Sequence, residues 1–266
     1  MHDTRRDEDY FVQLINDLQA AIDETQAALN DGVFTSPSER VDIAQRLFQL
    51  AIMRAVAYYS YRASSKSLQP MVLDILQYRQ QLSALADKLP TAHQCYRYAF
   101  EQLGGQGEAC GSANINRYVY TLWWLALLDV CKAPAEHIKA ALTIIGEQGK
   151  DTLLDKIAIA LGDSDRPIAN TLYYPDIYQP LSDALTAPEA QQAELLNQFI
   201  AHWYDKLTEA DWYDNHECDC EFEYTDYYIG YWSFELLLVA NILKLPASAL
   251  TAHPMIPTSL FKHYTS

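Results

Sequence analysis

Apolar residues recur along this chain at the three-and-four spacing of helices, and no stretch alternates as a half-buried strand would. The pattern predicts an all-α fold. The first helix covers about residues 9–29, with Phe11, Leu14, Ile15, Leu18 and Ile22 on one face, and "NDGVF" ends it. The second opens on a strong start signal: Ser36 to cap, Pro37 for the first turn and Glu39 at the capping-box position. It runs to about Ser60. A third helix spans about residues 68–88, and a shorter one surrounds "CYRYAFEQL".

The stretch "GGQGEACGSAN" holds four of the nine glycines and reads as a loop. It divides the chain into an N-terminal helical part (1–103), the glycine-rich loop (104–113) and a C-terminal acidic helical part (114–266). The expected architecture is a single globular multi-helix bundle with the N-terminal part as a smaller subdomain. Downstream, "NINRYVYTLWWLALLDV" and "TDYYIGYWSFELLLVANIL" are apolar nearly all round. That is the mark of helices surrounded by others, and predicts helices over 114–131 and 226–243 side by side at the core. The amphipathic stretches "APAEHIKAALTIIGEQ", "DTLLDKIAIAL" and "PEAQQAELLNQFIAHWYDKL" should pack around them.

Half of the 266 residues are hydrophobic and a fifth are charged, the balance of a soluble globular protein. The opening "MHDTRRDEDY" lacks the apolar centre of a secretory signal, and the longest uncharged apolar run, Tyr118 to Leu128, is too short to cross a bilayer. A cytoplasmic protein is expected. Its five cysteines (Cys95, Cys110, Cys131, Cys218, Cys220) are an odd number in a chain large enough to stand without staples, so they read as reduced thiols.

Charge changes the picture further. Residues 1–133 carry a net −3, whereas residues 134–266 carry −13 of the total −16. Nine carboxylates crowd into residues 205–226 against one cation, Lys206. Such a surface repels nucleic acid and anionic lipid and attracts a basic partner. Within that run Asp211, Trp212, Tyr213, Asp214, Glu217, Asp219, Glu221, Glu223 and Asp226 form the candidate contact surface. Aromatic side chains supply area there, and carboxylates supply steering.

Motifs for chemistry are sparse. His216-Glu217 begins a zinc-protease pattern, but Cys220 stands where the second histidine belongs. His216, Cys218 and Cys220 form a competing metal reading, weakened by their close spacing and the lack of a fourth ligand. No nucleophile elbow, di-iron Glu-x-x-His pair or phosphate-binding lysine loop occurs, so no catalytic residues, metal or cofactor are assigned. Glu235 is the one carboxylate within the apolar stretch 227–243. Burial demands a partner for it, such as Arg117, another basic residue or a hydroxyl.

The stretch "EADWYDNHECDCEFEYTDYYIGYWSFELLLVANILKLPASAL" resembles the C-terminal signature of the PoNi family of bacterial immunity proteins. Its most specific part is carried by Tyr228, Gly230, Tyr231, Trp232, Ser233, Phe234 and Glu235, and the tail "HPMIP" is similar to the family's ending. In the first half, "LFQLAIMRAVAYYSYRASSKSL" is similar to the family's arginine-tyrosine-serine helix. Tyr58 stands there where an arginine is usual, and Arg62 where a small residue is. The resemblance implies an all-helical, cytoplasmic, non-enzymatic protein that neutralises a cognate DNase toxin delivered by type VI secretion or a related route. A basic nuclease suits an acidic partner. A metal-dependent enzyme built on His216, Cys218 and Cys220, or a regulatory module for some other basic protein, are the alternatives.

Overall fold

The computed structural model describes residues 1–104, 115–216 and 227–262. Among them the chain is all-α, with ten α-helices and no strand. No helix among the described residues is long and apolar enough to cross a membrane. The chain forms two compact units, one from residues 1–124 and 214–230, the other from residues 125–213 and 231–266.

The first unit is built on α1 (Glu8–Asn30), α2 (Pro37–Tyr61) and α3 (Ser65–Ala86), with α2 packed against both neighbours. Asp7 caps α1 by accepting the Tyr10 N–H at 2.8 Å. Its buried face carries Phe11, Leu14, Leu18, Ala21, Ile22 and Leu29, the face that the apolar spacing picks out. At the start of α2, Pro37 takes the first turn as expected, but Ser36 makes no side-chain cap and its Oγ turns to Ser38 Oγ at 2.9 Å. The capping box lies instead at α3, where Ser64 and Ser67 exchange bonds with each other's backbone. A short α4 (Tyr96–Phe100) follows. Arg117, on α5 (Ile115–Val130), spends its guanidinium on the carbonyls of Tyr98, Ala99 and Gln102. The first unit takes α5 up to Trp124, whose ring meets Phe48 edge-on at 5.5 Å.

In the second unit α6 (Ala135–Ile145) and α7 (Thr152–Ala160) are followed by α8 (Pro175–Ala184) and α9 (Glu189–Lys206), which pack on each other. The apolar pattern leaves α8 unmarked, because Pro175 and Pro180 sit inside it and it buries few residues: Tyr178, Leu181, Ser182 and Ala184. At the centre is α10 (Phe234–Ile242), buried on every side from Phe234 to Asn241. The helix expected from residue 226 therefore begins eight residues later. Gly230 adopts φ +102°, outside any helix, and residues 227–233 run as irregular backbone. Continuous apolarity signals burial, and only the glycine betrays that the first half of the run is not helical.

Polar groups fix the loops of this unit. Asp155 and Arg166 form an ion pair at 2.5 Å with both side chains fully buried, and Asp155 also accepts the Ala169 N–H at 3.0 Å. Asp151 caps α7 through the Leu154 N–H at 2.8 Å and takes the Tyr173 N–H at 2.7 Å. Lys262 reaches Asp129 at 2.6 Å, tying the C-terminal tail to the end of α5.

Candidate functional site

The acidic run begins where α9 ends, at Lys206, and descends through turns to His216. Its two aromatic residues part company. Trp212 is only 1% exposed and lies in a nest of rings: Trp203 stacks on it at 5.1 Å and Tyr231 tilts against it at 5.9 Å. It packs within the second unit and offers almost no surface to a partner, contrary to the expectation of an interface anchor. Tyr213 is half-buried and stacks on Tyr204 at 4.6 Å, so one edge of it reaches solvent. Asp211 is half-buried and Asp214 exposed, the latter at φ +57°, a left-handed conformation that aspartate tolerates better than most residues. Glu217, Asp219, Glu221, Glu223 and Asp226 lie outside the described residues, as do Cys218 and Cys220.

Directly under the ring nest sits Glu235, fully buried. Its Oε1 accepts the Trp203 indole N–H at 2.7 Å and the Tyr178 hydroxyl at 3.4 Å. The expected partner Arg117 is occupied with carbonyls of its own unit, and the hydroxyl comes from Tyr178. Burial, reinforced by the Glu235 charge, pushes the Tyr178 phenol well above its usual pKa, so it stays a donor. A tryptophan on an amphipathic helix brings a donor that must be satisfied once buried, and Trp203 meets that need on Glu235, which takes the indole in place of a basic partner.

The signature stretch is divided between the units, Tyr228 to Gly230 in the first and Tyr231 to Glu235 in the second. In the first unit Tyr228 is locked by the N-terminal residues. Its hydroxyl donates to the buried Asp3 carboxylate at 2.5 Å, and Arg5 pairs with that carboxylate at 3.2 Å. Burial and then the Asp3 charge raise the Tyr228 phenol well above its ordinary pKa. The Tyr10 hydroxyl accepts the Tyr228 N–H at 2.9 Å and donates to the Tyr228 carbonyl at 3.1 Å. Ser60 Oγ donates to the Ile229 carbonyl at 2.6 Å, while its own carbonyl receives the N–H groups of His2 and Asp3. The serine of "AYYSYR" thus binds the glycine-tyrosine signature to the chain's beginning. Arg62, two residues on, is exposed and pairs with Glu8 and Tyr61.

Several cations of the second unit bond within it, while Lys132, Lys139 and Lys244 are exposed. Arg166 is buried on Asp155, Lys262 is on Asp129, and Lys150 lies 3.5 Å from Glu147. Lys156 donates to the Ser182 carbonyl at 2.7 Å and Lys206 to the Asp176 carbonyl at 2.6 Å. Meanwhile Asp165, Asp176, Asp183, Glu189, Glu194, Asp205 and Glu209 are all exposed. Asp151 and Asp155, within the same acidic half, are fully buried and belong to the framework.

Among the described residues, no group of three His, Cys, Asp or Glu side chains is placed to hold a metal ion. The sulfur chemistry departs from expectation in one respect. Cys95 is disulfide-bonded, whereas Cys131 is a buried thiol whose pKa desolvation pushes up to about 12. The second cysteine of the bridge lies outside the described residues.

Residues 149–260 match the family model described as PoNe immunity proteins (PoNi), C-terminal. The matched span contains the whole signature and the His253–Pro257 tail, and leaves residues 47–68 outside. No curated protein and no solved structure matches the chain.

Proposed function

We propose, for a chain that belongs to the PoNi family through residues 149–260, that it binds a cognate PoNe-type DNase toxin and neutralises it without catalysis. The family match carries this reading. A nuclease must present a basic face to its phosphate substrate, and an acidic protein that occupies or neighbours that face competes with DNA electrostatically. The net −13 of residues 134–266 supports it, because the exposed carboxylates of the second unit outnumber its exposed cations and give a field that attracts a basic face. We place the contact on Asp211, Tyr213, Asp214, Glu217, Asp219, Glu221, Glu223 and Asp226. Trp212, buried within the second unit, underlies only its neighbours Asp211 and Tyr213. The protein works in the cytoplasm of the cell it protects, against a toxin delivered by type VI secretion or a related route.

Co-expression with the nuclease encoded beside its gene tests the proposal. Protected cells and a stable complex of the two purified proteins are expected. Cells that die as fast with the protein as without it would refute the assignment.

A further inference from the structure

Among the described residues of the second unit, Ile168 is the one large apolar side chain that stands exposed, at 53%. A single exposed apolar residue is ordinary on a protein surface. This one is held in place. Arg166 is buried against Asp155 at 2.5 Å and donates to the Gly146 carbonyl at 2.7 Å, while the Ala169 N–H donates to the other Asp155 oxygen at 3.0 Å. Thr152 Oγ1 lies 2.8 Å from the carbonyls of both Ala169 and Thr171, and the Thr152 N–H donates to the latter at 2.8 Å. The loop is therefore fixed on both sides of Pro167 and Ile168. A buried ion pair is a costly way to fix a loop, and here it leaves these two apolar residues facing solvent.

Ile168 borders a cleft of about 530 Å³, walled by Thr152 and Lys156 of α7 and by Pro175, Gln179 and Asp183 of α8. Asp183 lines it, Asp176 follows Pro175 in the chain and Asp165 stands three residues before Ile168, and all three carboxylates are exposed. The cations here are Lys156, half-buried with its Nζ on the Ser182 carbonyl, and Lys150, which lies 3.5 Å from Glu147. On the same loop Asp163 and Asp165 line a second cleft, of about 550 Å³, with Glu136 and Lys139 of α6. Lys206 Nζ on the Asp176 carbonyl sets the end of α9, from which the chain runs on to Asp211, beside the start of α8. We infer that the Ile168 loop and the cleft between α7 and α8 form a docking surface for the nuclease, taking an apolar side chain of the toxin that is flanked by lysine or arginine. This rests on the immunity reading above. Carboxylates around an apolar centre favour a basic partner over an acidic one, and a loop already ordered loses little entropy on binding.

Association and dissociation of the full chain with the purified nuclease encoded beside its gene are measured by surface plasmon resonance. The native protein, Ile168→Ser, Ile168→Leu and the paired variant Asp165→Asn with Asp183→Asn are compared, and backbone hydrogen exchange of the native protein is followed with and without the nuclease. Ile168→Ser should dissociate about tenfold faster or more at a nearly unchanged on-rate, the loss typical of an anchoring side chain. Ile168→Leu should keep most of the lifetime. The paired asparagine variant should associate more slowly, with a shallower salt dependence, and the amides of residues 168–172 should gain protection in the complex. Either an unchanged lifetime in Ile168→Ser or unaltered exchange across residues 168–172 in the native complex would overturn the inference and leave the immunity reading standing. Since Ile168 is more than half exposed, Ile168→Ser should melt with the native protein; were it to melt early, the exchange of the native complex decides alone. A native dimer in sedimentation that Ile168→Ser dissolves would give the surface to a second copy and overturn the inference as well. A native protein that binds no nuclease would instead remove the immunity reading itself.

Discussion

The indole of Trp203 and the carboxylate of Glu235 meet at 2.7 Å in the interior of the second unit. Both residues are fully buried, and Tyr178 adds a second donor to the same oxygen. Glu235→Ala should leave the Trp203 indole without its acceptor, at about 1–3 kcal/mol. Glu235→Gln keeps an acceptor oxygen and should cost much less. Chemical denaturation reads the difference, and equal losses from the two variants would show that charge, rather than hydrogen bonding, is what the site requires.

Asp155 and Arg166 form a fully buried ion pair, and with the partly exposed Asp163 3.6 Å from Arg166 as a secondary contact, truncating one partner leaves a largely uncompensated buried charge. Asp155→Ala or Arg166→Ala should each destabilise the protein by about 3–5 kcal/mol. Replacing both with apolar residues of similar size should cost less than either alone, which a double-mutant cycle by urea unfolding would measure.

Gly230 holds φ +102° where the signature passes from one unit to the next. A side chain there is strained by about 1–3 kcal/mol. Gly230→Ala should therefore lower the melting temperature, and wild-type melting in that variant would mean the backbone relaxes freely.

Reversing Asp211, Asp214, Glu217 and Glu221 to lysine should slow toxin association sharply from an expected native value of about 10⁸–10⁹ M⁻¹s⁻¹ at low salt. The helical circular dichroism should be retained. Stopped-flow rates across a salt series provide the check. An on-rate and salt slope both unaltered by the fourfold reversal would move the contact to the exposed carboxylates of α8 and α9.

Cys131 should resist alkylation at pH 8 in the native protein and react on unfolding, since burial holds its proton. Its folded pKa is raised, so the stabilising effect is complete below the unfolded thiol's pKa of about 8.5 and drains away as pH rises above it. Mass spectrometry after denaturing alkylation, with and without prior reduction, should show two further thiols released by reduction from the Cys95 bridge. An equal count would contradict that bridge.

Fold class and most of the long helices could be read in the sequence, because helices such as α1 and α9 expose one face and their apolar residues keep helical time. The buried run 227–243 defeated the same reasoning. When every side of a segment is covered, periodicity vanishes, and Gly230 was the remaining clue that a helix starts only at Phe234. The candidate site was legible as a concentration of carboxylates, yet the roles of its aromatics were not. Trp212 and Tyr213 are adjacent in the sequence and equally hydrophobic in aspect, but three-dimensional company decides that one faces Trp203 and the other reaches solvent. Contacts such as Tyr228 with Asp3, 225 residues apart, leave no local signature at all.

Residues 214–230 belong to the first unit although they are separated from the rest of it by the whole first segment of the second, residues 125–213. During synthesis, then, the ribosome must extend well past residue 124 before Ser60, Asp3 and Tyr10 can receive Ile229 and Tyr228. Helices α1 and α2 must wait through that interval with Tyr10 and Ser60 lacking these partners. The same threading constrains inheritance. A crossover that exchanged only the C-terminal region between two relatives would import a piece of the first unit as well, so a new partner specificity carried on that region succeeds only where the recipient's opening residues already suit its Tyr228.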